Sequence, residues 1–222
     1  MAKQVAILGS GVVGQALAGG FLKHGYGVVM GTAHPDKEVE WPLQAGGSDA
    51  AALQSIQVTT YEDAAKAAEL AVLATKGAAA EAVVKAIAPH LAGKIVMDAT
   101  NPIADAPPQN GVVKFFTTLD DSLMERLQRL APQARFVKAF SCVGNAFMVN
   151  PDFGGIRPSM FVCGNDAAAK QEVTRIVEQF GFEAEDMGGA EGARAIEPLA
   201  ILWCIPGFLR NDWTHAFKML RK

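Results

Sequence analysis

Residues 5–14 read VAILGSGVVG. Four apolar residues suit a buried strand, glycines follow at once at positions 9, 11 and 14, and Ala18 and Phe21 carry an apolar face onward at helical spacing. A strand that turns through glycine into a helix has a defined chemistry. Gly9 permits the tight turn, Gly11 lets a pyrophosphate approach the backbone, and Gly14 allows close packing of helix on strand. The unpaired amides at the helix start, in Ser10, Val12 and Val13, then face negative charge. The stretch predicts a dinucleotide site one strand from the amino terminus.

Outward from it, short apolar runs recur: VVM at 28–30, IQVTT at 56–60, LAVLA at 70–74, IVMDA at 95–99 and FVKAF at 136–140. Helix candidates lie between them at 12–24, 62–68, 78–90 and 120–130, and the Gly-rich stretch 44–49 reads as a loop. Short apolar strands alternating with helices indicate a parallel sheet covered on both faces. The expected fold class is α/β, a Rossmann doubly wound parallel sheet with a small α/β C-terminal extension. Residues 1–150 form the dinucleotide-binding core in this reading, and residues 151–222 a small substrate-side subdomain that starts in the turn-rich NPDFGGIRP. The extension offers a strand SMFVCG, a helix over 166–180 and a strand FEAEDM. It ends in the apolar segment AIEPLAILWCIPGF, interrupted by Glu197, Pro198 and Pro206 and read as a buried helix.

Half the residues are apolar, and 20 Lys and Arg stand against 23 Asp and Glu. That balance suits a globular protein and gives no basis for a nucleic-acid partner. The start lacks the pattern of a signal peptide, so the expectation is a cytoplasmic protein without a membrane segment. Cys142, Cys163 and Cys204 are widely spaced, without CxxC or a histidine ligand set, and read as structural thiols with no metal site.

At the end of the second strand, Met30 to His34 contains no acid. A carboxylate there would hold a free ribose diol and repel a 2′-phosphate, so its absence favours NADP over NAD. Thr32 is placed to bond the phosphate, with the loop amides around Ala33 beside it, while His34 and Lys37 read equally as a source of positive charge and as two solvated loop residues. Other strand ends frame the nicotinamide side: Thr75 and Lys76, then Thr100, Asn101 and Pro102, then Ala139, Phe140 and Ser141. Asp98, inside its strand, reads as a structural carboxylate. Tyr26 and Tyr61 read as lying away from the sheet edge, none of His24, His90 and His215 follows a strand, and no catalytic acid or base is assigned. Hydride transfer between two flat rings needs mainly stacking and exclusion of water, which fits such a site.

Taken together, GSGVVG, MGTAHP, TNP, KAFSCVGN and EGARAIEPLAILW resemble the NADP oxidoreductases that act with coenzyme F420, an 8-hydroxy-5-deazaflavin, over nearly the whole chain. The chain is also similar to the cytosolic domains of six-transmembrane ferric reductases, whose cleft passes hydride from NADPH to a flavin. The resemblance implies NADP as cofactor and F420 or a flavin as co-substrate. It implies a ring acceptor lying against Phe140, Ser141, Cys142, Leu199, Leu202 and Trp203. Two positions depart from the family pattern: Ala33 stands where it usually has arginine, and Ser141 where it has asparagine.

The resulting expectation is an oxidoreductase moving hydride between NADP(H) and a deazaflavin or flavin-like ring. An NADPH-dependent imine or carbonyl reductase and a non-catalytic NADP sensor are the alternatives. A homodimer through the apolar carboxyl-terminal helix is expected as well.

Overall fold

The computed structural model describes residues 2–42 and 44–222. In chain order the elements are β1 (Gln4–Leu8), α1 (Val12–Lys23), β2 (Gly27–Thr32), β3 (Gln44–Ala45), β4 (Ser48–Asp49), α2 (Ala50–Gln54), β5 (Gln57–Thr60), α3 (Tyr61–Ala67) and β6 (Leu70–Leu73). They continue with α4 (Gly77–Leu91), β7 (Ile95–Asp98), α5 (Leu123–Leu130), β8 (Arg135–Lys138), β9 (Ser159–Val162), α6 (Ala167–Gln179), β10 (Glu183–Asp186), α7 (Ala193–Ile196) and α8 (Leu199–Arg210).

Six strands form one parallel sheet in the order β5-β2-β1-β6-β7-β8. The order reverses beside β1, so a crevice opens beyond the carboxyl ends of β1 and β6, where ligands of doubly wound sheets bind. Each strand is a short apolar run because both faces are covered: one core cluster gathers around Phe21, Met30 and Phe180, the other around Leu127 and Phe136. The expected α/β Rossmann class is the observed one.

Local chemistry sets several boundaries. The helix expected from residue 120 starts at Leu123 because Ser122 caps it: its hydroxyl accepts from the Glu125 amide while the Glu125 carboxylate accepts from the Ser122 amide. The Gly-rich stretch expected as a loop contains a short antiparallel ribbon, β3 with β4, followed by the unforeseen helix α2. Gly46 and Gly47, both at positive φ, supply its turn.

Residues 151–222 add β9 and β10, a parallel pair joined by α6, and their apolar residues belong to the same core cluster as β1 and β2. The reading of the last segment as a buried helix is corrected. Ala190–Arg210 forms a continuous 21-residue helical stretch, apolar enough by length and composition to cross a membrane and largely uncovered. Ala193, Ile196 and Ala200 face the core, but Leu202, Phe208 and Leu209 are exposed. A periodic stretch shows that one face is buried without showing how wide that face is.

Arg194 of α7 ties this stretch to α5 through an ion pair with Glu125 at 2.6 Å. The Arg194 guanidinium, with help from Ser122, holds the Glu125 carboxyl well below its ordinary 4.5, at about 2. A lowered folded-state pKa stabilises the fold above the unfolded value and loses that stabilisation as pH falls through the folded one. Glu125→Gln should therefore flatten the acid limb of the stability curve between about pH 4.5 and 2, as followed by thermal melts. An exposed apolar face of this kind is where the expected homodimer would form. The expected outcome in light scattering is twice the monomer mass for the native chain and a single monomer mass for Leu202→Lys.

Candidate functional site

The glycines of 9–14 divide the work unequally. Gly9 sits at φ +132°, and a Cβ there would lie 2.5 Å from the Ala74 carbonyl oxygen, so the position admits only glycine. A Cβ on Gly14 would meet the Gly9 carbonyl at 1.9 Å, which makes Gly14 a packing residue. At Gly11 a Cβ meets nothing within 4 Å. Gly11 is the N-cap of α1, without a side-chain cap, and Val12 behind it is exposed, so free helix amides look onto open space. These residues fit a pyrophosphate.

Beside this cradle, the end of β2 is an ordered turn. Thr32 is buried, with its hydroxyl 3.2 Å from that of Ser10 and 3.4 Å from the His34 amide that donates to it. Ala33 and His34 are exposed. Tyr61, read as remote from the sheet edge, opens α3 directly after β5, and its phenol lies within hydrogen-bond reach of the Ala33 amide. Burial raises its pKa. The signal for Tyr61 was its place immediately after a strand.

The third part lies beyond β6, β7 and β8. Thr75, Lys76, Thr100 and Asn101 line a cavity of about 450 Å³. Asn101, Ser141, Gly144, Trp203 and Trp213 line a second of about 360 Å³, and Val13, Asn101 and Ile103 belong to both. Among the described residues, three buried polar atoms here have no partner: Thr75 Oγ1, Asn101 Oδ1 and Ser141 Oγ. They stand just past the carboxyl ends of three neighbouring strands. Buried polar groups are ordinarily paired, and three orphans along one edge suit a ligand that supplies the missing bonds.

Several expected contacts turn elsewhere. Thr100 spends its hydroxyl on Asp98 at 2.6 Å, and Pro102 is buried and accepts from the Phe116 amide. Ala139 is fully buried. Phe140 has φ +59°, rare for a bulky side chain, and its ring packs in the core against Phe180 and Phe182. That turn leaves Ser141, not Phe140, lining the second cavity. Cys142 is in the core, its thiol pushed up to about 12 by burial; Leu199 packs on the core and Leu202 faces outward. Trp203 does line the cavity, in a seat that exists because a Cβ on Gly144 would lie 2.7 Å from its ring.

Trp213 was not foreseen. It sits on the chain after α8, with its ring over Gly207, where a Cβ would meet it at 2.2 Å, and its centroid 5.6 Å from that of Trp203. The Trp203 indole donates to the His215 carbonyl at 2.9 Å and His215 Nε2 donates back to the Trp203 carbonyl at 3.0 Å, which fastens this segment to α8. No sequence pattern links residues 207 and 213 in advance.

A family profile described as NADP oxidoreductase, coenzyme F420-dependent, matches residues 4–102. A solved structure of a provisionally named F420-dependent NADP reductase from Arthrobacter sp. FB24 is 32% identical, with 98% of this chain and 99% of that chain covered and a TM-score of 0.86. The chain belongs to the coenzyme F420-dependent NADP oxidoreductase family. Among curated relatives, the F420-dependent NADP reductase of Methanocaldococcus jannaschii is 26% identical over 84% of this chain and 89% of its own length. Rat metalloreductase STEAP3 is 30% identical over 94% of this chain, which spans 39% of that protein. As a member of an NADP-dependent oxidoreductase family, the chain is an enzyme whose glycine cradle and acid-free β2 turn suit NADP.

Because Gly11 faces open space, Gly11→Val should fold with an unchanged melting temperature yet lose NADPH binding in a fluorescence titration, whereas Gly14→Ala should lower the melting temperature. Ala33→Arg restores a charge-assisted fork for the 2′-phosphate, a bond worth about 1.5–3 kcal/mol. It should tighten NADPH roughly tenfold or more and leave NADH within about twofold.

Proposed function

We propose that the enzyme passes hydride between NADP(H), held along the strand ends, and a planar deazaflavin or flavin-like ring stacked in the cavity walled by Trp203 and Trp213. The observation that carries this reading is the row of unpaired buried atoms on Thr75, Asn101 and Ser141, at two cavities that share Val13, Asn101 and Ile103. Two amide- or imide-edged rings, one in each cavity, would satisfy the row.

NADPH held there would supply a hydride from its nicotinamide, and a ring that accepts it would take one further proton from solvent. The residues contribute position. Val13, Ala200 and the two indoles offer apolar surface that excludes water, and Asn101 is fixed by its own amide, which donates to the Ser141 carbonyl at 2.7 Å. A reductase of imines or carbonyls is the second reading, supported by Lys76 at the first cavity as a proton source.

The test is NADPH oxidation with F420, FMN and riboflavin in turn. Turnover with at least one ring is expected. Trp213→Ala should raise the KM for that ring about fivefold or more, as loss of a stacking contact of roughly 1 kcal/mol or more requires. Ser141→Ala should slow turnover, and both variants should keep NADPH binding within twofold. Bound NADPH with no oxidation by any ring would move the reading to imines or carbonyls, and inertness toward those as well would favour a sensor.

A further inference from the structure

Lys138, at the end of β8, is fully buried and makes three polar contacts. Its ammonium lies 2.8 Å from an Asp98 carboxylate oxygen, 2.9 Å from a Glu197 carboxylate oxygen and 2.7 Å from the Thr100 carbonyl. The partners are themselves saturated. The other Asp98 oxygen accepts from the Thr100 amide and hydroxyl. Glu197 accepts from the Leu123 and Met124 amides, the open start of α5. Burial alone would strip the lysine of its proton, and the two carboxylates overcome that and hold its pKa above the ordinary lysine value.

Asp98, Lys138 and Glu197 are distant in sequence, yet each stands three positions before a residue that lines the ring cavity: Asn101, Ser141 and Ala200. One turn beyond Ala200 on α8 comes Trp203. The cavity's side, floor and opposite wall are thus tethered to one buried charge. The cluster itself does not line the cavity, and Asp98 and Lys138 have no exposed surface at all.

We propose that Lys138 is a positioning residue: its ammonium sets the separation between the Asn101 turn and the Trp203 helix, and so the fit of the acceptor ring. The proposal rests on the ring-acceptor reading for its kinetic readout only. Position matters steeply for hydride transfer, where displacement by about 1 Å can cost a hundredfold in rate.

Glu197→Gln tests it. Glutamine keeps the shape and leaves Lys138 paired with Asp98, but its one acceptor oxygen cannot serve Lys138 and both α5 amides, so the start of α8 loosens from the lysine and from α5 together. The expected result is NADPH binding within twofold of wild type, a KM for the ring acceptor raised at least fivefold and tryptophan emission shifted to the red as Trp203 loosens. Unchanged acceptor KM and emission would overturn the proposal. So would parallel loss of NADPH binding and thermal stability, the mark of a purely structural cluster. If Glu197→Gln does not fold, Lys138→Met/Asp98→Asn/Glu197→Gln, which removes every charge from the cluster, takes the same measurements with the same deciding outcomes. Should wild type oxidise NADPH with no ring at all, the functional reading fails, while the emission arm still decides whether the cluster sets the position of α8.

Discussion

A single buried ammonium joins the nucleotide-binding sheet to the carboxyl-terminal helices. Lys138 pairs with Asp98 on the neighbouring strand and with Glu197 ahead of α8, while its backbone amide donates to the Cys163 carbonyl just past β9. Removing one member of a buried ion cluster leaves an uncompensated charge and typically costs about 3–5 kcal/mol, a large part of the stability of an average domain. An apolar cluster of similar volume would hold the same elements together with less direction. Ammonium and carboxylate fix distances to hydrogen-bond length, and a stacking cavity gains from walls at a fixed separation.

The two halves of the site have different physics. The nucleotide half is built from backbone: glycines that make room, a helix start with free amides, and a β2 turn ordered by Ser10 and Thr32. The half walled by Trp203 and Trp213, where we propose the ring acceptor, is built from side chains that follow β7 and β8 or come from α8 and the segment after it. Its indoles rest on glycines, Trp203 on Gly144 and Trp213 on Gly207, so small residues far from one another in sequence decide where large ones sit. The left-handed backbone at Phe140 belongs to the same half, since it buries the ring and leaves Ser141 at the cavity.

Legibility followed that division. The strands, the crossover helices and the glycine cradle were readable because their determinants are local: apolar periodicity, glycine at a strand-to-helix turn, and a missing acid at a known offset. Thr32, Asn101, Ser141 and Trp203 were recognisable as polar or aromatic residues near strand ends or on the last helix. Phe140, Cys142 and Leu202 were placed beside a ring acceptor by the family resemblance and point elsewhere, because adjacency in sequence does not say which side of a turn a side chain takes. The last helix was read both as core and as a contact surface, since an apolar residue reads the same whether packed or exposed.

By itself the sequence determined the Rossmann architecture, the glycine cradle after β1 and the absence of an acid at the β2 turn, since each depends on residues within a few positions of one another. Only the tertiary structure decided that Asp98, Lys138 and Glu197 form one cluster, that Tyr61 borders the β2 turn, and that Trp213 lines the same cavity as Trp203. Those contacts join residues on different elements. Their existence depends on sheet order and on the path of the chain beyond α8, which only folding brings about.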